Sequence, residues 1–366
     1  MKSKARVIAF YLPQYYPIPE NDEWWGKGFT EWTNVGKAKP LFRGHYQPHV
    51  PADLGYYDLR LPIIREQQAE MAKEAGIEGF CYWHYWFGNG RTLLTEVFDD
   101  VLHSGKPDFP FCLGWANHDW SRRTWNNSEA MHKNVDLMIQ EYPGEHDYIN
   151  HFYSVLPAFK DPRYITVDGK PLFYIYAAAA VPDLQTFMDI WRKLALENGL
   201  KGIHFVGQST GWAKNADIVL KKGVDAVVSE VFWKTEAKID GKMIRLLKAK
   251  LMQYFPMLSP VRKYKYKDII RNLYSDYEKK ENVYPIILPN WDRSPRAGKR
   301  AVVYTDCEPK YFRKNVQEAL NIVKEKAPEH RIIFLKSWNE WGEGNHVEPD
   351  LKYGHGYLDA LKEVIF

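Results

Sequence analysis

The chain is poor in cysteine, with three in 366 residues: Cys81, Cys112 and Cys307. Three thiols give no disulfide framework, and no pair has metal-ligand spacing, so they read as reduced buried thiols and favour a reducing compartment. Long apolar runs are also missing. None approaches the roughly 20 residues of a spanning helix, which excludes a helical membrane span. Met1-Lys2-Ser3-Lys4 is basic, but the apolar run Val7–Leu12 is short and meets Pro13 at once. No signal peptide is legible there, and a cytoplasmic location is expected. Charge of one sign is scarce as well: the net charge is +4 with both signs interspersed, so no nucleic-acid partner is expected. The one dense basic stretch, Lys242 to Lys267, reads as the solvated face of helices. There is no glycine-rich loop at a strand–helix junction and no D-x-D, so no nucleotide site is legible. His346 and His355 lack metal-ligand partners at sensible spacing. No cofactor and no metal is expected. Oligomeric state is not legible.

Aromatic residues, by contrast, are abundant. They make up 15% of the chain, with 14 Trp and 24 Tyr. Tyr and Trp carry a polar handle on an apolar body, which suits a cleft for flat amphipathic ligands such as sugars. An oligo- or polysaccharide substrate is therefore expected.

Eight apolar runs read as buried parallel strands: Val7–Leu12, Gly79–Trp86, Phe109–Trp115, Pro171–Tyr176, Ile203–Gly207, Ala226–Ser229, Tyr284–Leu288 and Ile332–Ser337. Helical patterns lie between them, at Leu61–Ala75, Leu93–Ser104, Asp183–Asn198 and Pro309–Lys326. The alternation predicts an α/β fold, a single (β/α)8 barrel spanning residues 1–366. Long insertions fall at Pro13–Leu54, Asn117–Lys133 and Phe232–Asn282, the last giving an insertion at about 232–282. Long ordered loops in a compact domain are usually functional.

Catalytic groups of such barrels sit at the carboxyl ends of strands. Polar and aromatic residues crowd those ends here. Candidate sugar-binding residues are Tyr11; Trp83, His84 and Tyr85; Trp115, Asn117, Trp120 and Arg122; Glu230; Asn290, Trp291 and Asp292; and Trp338, Asn339, Trp341 and Glu348. His84 reads equally as a wall histidine. Arg122 and Arg123 either clamp an acidic group or brace a loop. Asp292 binds a sugar hydroxyl or pairs with Arg296, the second slightly favoured. Glu31-Trp32 repeats the Glu-Trp pairing of Glu340-Trp341, with nothing to assign it the same role.

The sharpest feature is Glu340-Trp341-Gly342-Glu343-Gly344. Glycines let a strand exit turn tightly, so two glutamates three apart can face one cavity. Glycoside cleavage needs one protonated and one ionised carboxyl. Burial against tryptophan and mutual repulsion split a pair's pKa values in that direction. Glu340 and Glu343 are the expected catalytic residues. Their bland alternative is a pair of exposed loop glutamates.

The run Ser337-Trp338-Asn339-Glu340-Trp341-Gly342-Glu343-Gly344-Asn345-His346-Val347-Glu348-Pro349 resembles the strand-eight motif of the endo-α-mannosidases, glycoside hydrolase family 99, which reads roughly [SFY]-N-E-W-H-E-G-T-x-I-E. Ala9–Tyr15, Gly114–Asn117 and Asn290–Asp292 are similar to WbsX-type proteins of polysaccharide and O-antigen loci, which are labelled glycosyltransferases. The resemblance implies a retaining hydrolase, endo-acting on an α-mannoside-like linkage, that uses no metal. Its sugar 2-hydroxyl attacks its own anomeric carbon, giving a 1,2-anhydro intermediate. By position, Glu340 is then the base for that hydroxyl and Glu343 the general acid/base. The sequence departs from the mannosidase motif at Gly342, where relatives carry His, and at Asn345-His346. The alternatives from other classes are a glycosyltransferase of surface-polysaccharide assembly and a catalytically silent sugar-binding protein.

Overall fold

The computed structural model describes residues 3–121, 136–210, 213–230, 232–254 and 260–366. Eight parallel strands form its centre: β1 (Arg6–Tyr11), β2 (Ile77–Trp86), β3 (Phe111–Trp115), β4 (Lys170–Ile175), β5 (His204–Thr210), β6 (Ala226–Glu230), β7 (Val283–Ile287) and β8 (Ile332–Leu335). Each pairs with its sequence neighbours, and β1 pairs with both β2 and β8, so the sheet closes on itself. Closure leaves the eight barrel strands without an open edge. All eight apolar runs picked out in the sequence are these strands, each displaced by no more than a few residues, and the architecture is a (β/α)8 barrel.

The longer helices among the described residues are α1 (Pro19–Trp25), α2 (Glu31–Lys37), α3 (Pro62–Glu74), α4 (Glu96–Ser104), α5 (Glu145–Phe159), α6 (Leu184–Glu197), α7 (Ala213–Lys221), α8 (Phe232–Tyr254), α9 (Tyr266–Arg271), α10 (Pro309–Val323) and α11 (Gly356–Ile365), and a single turn, Ser294–Ala297, carries Arg296. In α10 Pro309 opens the first turn, and Phe312, Val316, Ala319, Leu320 and Val323 form one buried stripe. α1 and α2 lie in the first long loop; α8, which bends at Gly241 (φ 72°), and α9 lie in the β6–β7 connection. The basic stretch is only partly the helical face expected. Arg262–Lys265 is an extended strand, paired in parallel with Val302–Thr305.

Side chains inside the barrel are aromatic. Phe10 stacks on Trp83 (4.8 Å, 4°) and meets Tyr174 edge-on (4.8 Å) and Phe334 (5.3 Å). Strand side chains alternate between faces. With Phe10 and Trp83 inside, Tyr11 and His84 must face the helices. Among the described residues no helix is long and apolar enough to cross a membrane.

Candidate active site

β8 leads directly into the site. After it, the Asn339 side chain accepts from the Leu12 amide (2.8 Å) and donates to the Leu12 carbonyl (2.9 Å), tying the β8 exit to the β1 exit. Asn339–Glu340 then pairs with Asn345–His346 in a tight hairpin, turned by a 3-10 helical turn at Trp341–Glu343 and by Gly344 in the left-handed region (φ 67°). The hairpin presents Glu340 and Glu343 to one cation. Arg296, buried, contacts Glu340 Oε1 through Nη2 (2.8 Å) and Glu343 Oε1 through Nη1 (3.0 Å). Its Nε contacts Glu31 Oε2 (3.1 Å), at the start of α2. Arg293 adds a second cation to Glu343 (2.9 Å). Three carboxylates thus surround one guanidinium.

The environment separates the two hairpin carboxyls. Burial raises Glu340 to about 8; Arg296 opposes this, and the charges of Glu343 and Glu31 reinforce it. Burial also works against ionised Glu343, but Arg293, Arg296 and Lys336 outweigh it and hold that carboxyl below its ordinary value. The free site therefore favours a proton on Glu340 and a charge on Glu343.

Gly342 explains part of the arrangement. A Cβ there would lie 2.0 Å from Glu31 Oε2 and 3.0 Å from Arg296 Nε. The position at which the mannosidase motif carries His is closed here by the Glu31–Arg296 pair.

Other candidates join this mouth. Lys336 bonds Glu230 (3.0 Å) and lies 5.4 Å from the Trp291 ring centroid. Glu230 also accepts from Gln208, which in turn accepts from Tyr174 inside the barrel. Tyr85 is buried, and its hydroxyl is raised by burial and further by the charges of Glu340 and Glu31. Trp120 packs edge-on against Tyr85 (5.1 Å). Trp83, half-buried on Phe10, lies inside the barrel among the aromatics.

The remaining sequence candidates are spent elsewhere. Tyr11 faces α3 and donates to Gln68. His84 lies behind the barrel wall, 2.9 Å from His151 of α5. Trp115 packs there too, donating to the Trp86 carbonyl (2.8 Å). The Asn117 side chain clamps Ala177, accepting from its amide (2.7 Å) and donating to its carbonyl (3.1 Å). Glu348 accepts four buried hydrogen bonds, from Gln68, Trp338, Trp341 and Tyr57. That knot uses up Trp338, Trp341 and Glu348 together. Asn290 accepts from the amide of Trp291 and lines a separate cavity beside Asp292. Asp292 does not pair with Arg296: it accepts from Gln47 (2.7 Å) and the Ser294 amide (2.9 Å) and contacts His45 Nε2 (2.7 Å). Arg296 is already committed to the three glutamates. Arg122 and Arg123 lie outside the described residues.

The sequence reading gave no role to Lys336, Arg293 and Arg296 at the carboxylate pair. Lys336 was within reach of it, since alternation from inward Phe334 predicts that position 336 faces inward. Arg296 was visible only as a neighbour of Asp292, and Glu31 only as a repeated Glu-Trp. Arg296 stands 44 residues from Glu340 and Glu31 stands 265 from Arg296, so bringing them to the pair needs the paths of two separate loops.

Comparison with known proteins agrees with the fold. WxcX of Xanthomonas campestris pv. campestris strain B100 is 33% identical over 364 residues, 99% of this chain and 50% of that protein. WxcX of strain ATCC 33913 is 34% identical over 370 residues, with the same coverage. The chain thus spans about half the length of these relatives. A glycoside hydrolase-like protein superposes with a TM-score of 0.63 at 17% identity, covering 100% of this chain and 94% of that one. The endo-α-mannosidase of family 99 from Bacteroides thetaiotaomicron, in complex with bis-tris-propane, superposes with a TM-score of 0.60 at 15% identity, covering 100% and 97%. Those likenesses establish the fold. The model of the family described as Glycosyltransferase WbsX matches residues 7–361, so the chain belongs to the WbsX family.

Proposed function

We propose that the protein is a retaining glycoside hydrolase, endo-acting on an α-mannoside-like linkage of a polysaccharide. The observation that carries this reading is the single buried Arg296 shared by Glu340 and Glu343 at the mouth of the barrel. A cation common to both carboxyls supports reading them as the two members of one reacting centre. Glu340 takes the proton of the sugar 2-hydroxyl, whose oxygen attacks the anomeric carbon and closes a 1,2-anhydro ring. Glu343 gives its proton to the departing glycosidic oxygen. It then takes a proton from the water that attacks the anomeric carbon, while Glu340 returns its proton to the 2-oxygen as the anhydro ring opens, so the anomeric configuration is kept. Trp291, half-buried beside Lys336, supplies an aromatic wall on which a pyranose face stacks.

The free site carries its proton on the opposite member of the pair. Sugar binding must reverse that polarity, and paired variants test whether it does. Glu343→Gln should abolish release of sugar from natural glycan yet spare activated aryl glycosides, whose leaving groups need no acid. Glu340→Gln should lose both. If Glu340→Gln is the variant spared on activated substrates, the two roles are exchanged. If Glu343→Gln keeps full activity on natural glycan, the hydrolase reading fails. Product NMR on a panel of bacterial and fungal glycans reads bond specificity and configuration in the same assay.

The description of the family favours a second reading, transfer of sugar to an acceptor at the same mouth. A clear rise in melting temperature with nucleotide sugars and Mn²⁺, beyond that with Mn²⁺ alone, would support transfer over hydrolysis.

A further inference from the structure

We infer a binding site for one divalent transition-metal ion behind the Glu340–His346 hairpin, made by His49, His346 and Asp350. All three are buried, and one ligand atom from each lies within 4.8 Å of the others. His49 Nδ1 is 3.0 Å from His346 Nε2, and His346 Nε2 is 3.9 Å from Asp350 Oδ2. A tetrahedral zinc ion with ligand bonds of 2.0–2.1 Å needs its donors about 3.3 Å apart, between those two separations. Two imidazoles and one carboxylate are the donor set of zinc and its first-row neighbours, whereas calcium and magnesium take oxygen alone.

The protonation pattern fits a ligand role. The Glu348 carbonyl, which can only accept, lies 3.1 Å from His346 Nδ1. The ring proton therefore sits on Nδ1, and Nε2 turns a lone pair toward His49 and Asp350. A backbone carbonyl fixing the tautomer in this way is the usual support of a metal-bound histidine. In the metal-free chain His49 Nδ1–H donates to His346 Nε2. The ion replaces that proton, which moves to Nε2 of His49, so the number of bound protons does not change. Asp350 Oδ1 is occupied by the amides of Lys352 (2.8 Å) and Tyr353 (2.6 Å). Its Oδ2 accepts no hydrogen bond from the described residues, which leaves it as a ligand.

Of the three ligands, His49 is the one that reaches a cavity. His49 lines an open cavity of about 360 Å³ together with His45, Asp292 and Lys352. A water from that cavity can fill a fourth position. The Lys352 ammonium, 4.4 Å from the Tyr46 ring centroid, is the cation facing the site; Asp350 and Asp292 carry the opposing negative charge. Sequence spacing hid the cluster, because His49 and His346 stand 297 residues apart. The His346 ring stacks on Trp341 at 3.5 Å, so the ion would pin the loop around His49 to the hairpin that bears Glu340 and Glu343. It touches neither carboxylate, and the inference is independent of the reaction proposed above.

The full chain, stripped with a chelator, is titrated with Co²⁺ and watched for visible d–d bands. Separately, Zn²⁺ is counted by elemental analysis after gel filtration. We expect one ion per chain, Co²⁺ bands of low coordination number, and a higher melting temperature with Zn²⁺. His49→Gln keeps an amide donor for His346 Nε2 and should still fold. It and Asp350→Asn should each weaken the ion by about 100-fold or more, with an unchanged far-ultraviolet spectrum. Absence of d–d bands with equimolar Co²⁺, or binding that survives unchanged in both variants, overturns the site.

Discussion

At position 342 a side chain has no room. A Cβ would meet Glu31 Oε2 at 2.0 Å, and that oxygen is held by Arg296. Gly342→Ala must therefore push apart the contact that orients the cation shared by Glu340 and Glu343. Overpacking of this kind costs about 1–3 kcal/mol. Removing Glu31 first opens the space, so Gly342→Ala should cost clearly less in an Glu31→Ala background. Denaturant melts of the four proteins measure that coupling. Additive losses would show that Glu31 is not what closes the position. The same residue-level view explains the candidates the sequence misplaced. Polar and aromatic neighbours at a strand end look alike whether they meet a ligand or each other. Glu348 with Trp338, Trp341, Tyr57 and Gln68 is a satisfied buried network, and nothing in its composition sets it apart from a sugar subsite. For Tyr11, His84 and Trp115 the signal was present: each lies one step from an inward residue, at Phe10, Trp83 and Gly114, and period-two alternation turns it outward.

The secondary elements were legible because each strand is a run of apolar residues buried on both faces, and each helix carries one apolar stripe. What joins them was not. The β1 and β8 exits are held together by one amide, Asn339, which satisfies both the N–H and the C=O of Leu12. Tyr15 adds a hydroxyl that donates to the Asn339 carbonyl and accepts from the Trp341 amide. Asn339→Ala leaves two buried backbone groups unpaired, a loss of about 2–4 kcal/mol at roughly 1–2 for each group. Asn339→Asp should be no better, since a carboxylate cannot donate to the Leu12 carbonyl. Urea midpoints should fall for both variants with an unchanged m-value. A midpoint for Asn339→Asp equal to that of the parent would refute the two-sided clamp. Such pairings join residues 327 apart, a separation at which periodicity carries no information.

Across the whole molecule, a closed barrel supplies stability from below while the mouth carries charge that folding must bury. Three carboxylates compete for Arg296, and Glu340 is the one whose ionisation burial penalises most visibly, its pKa rising from 4.5 to about 8. A carboxyl with a higher pKa in the folded chain binds its proton more readily when folded. Its contribution to stability is complete below about 4.5 and drains as pH rises through about 8. Glu343 has the opposite sign, its folded value lying below the ordinary one, so the two effects partly offset one another in the parent protein. The comparison with Glu340→Gln isolates the first of them. An uncharged amide can still accept from Arg296 but has nothing to ionise. The variant should track the parent near pH 4.5, then melt progressively higher than it as the pH is raised, by a few degrees above pH 8. It should do so while losing activity, the expected exchange between a working site and a stable fold. Parallel melting curves for the two proteins across that range would mean that Glu340 is ionised at no cost, and that the proton shared at the barrel mouth resides elsewhere.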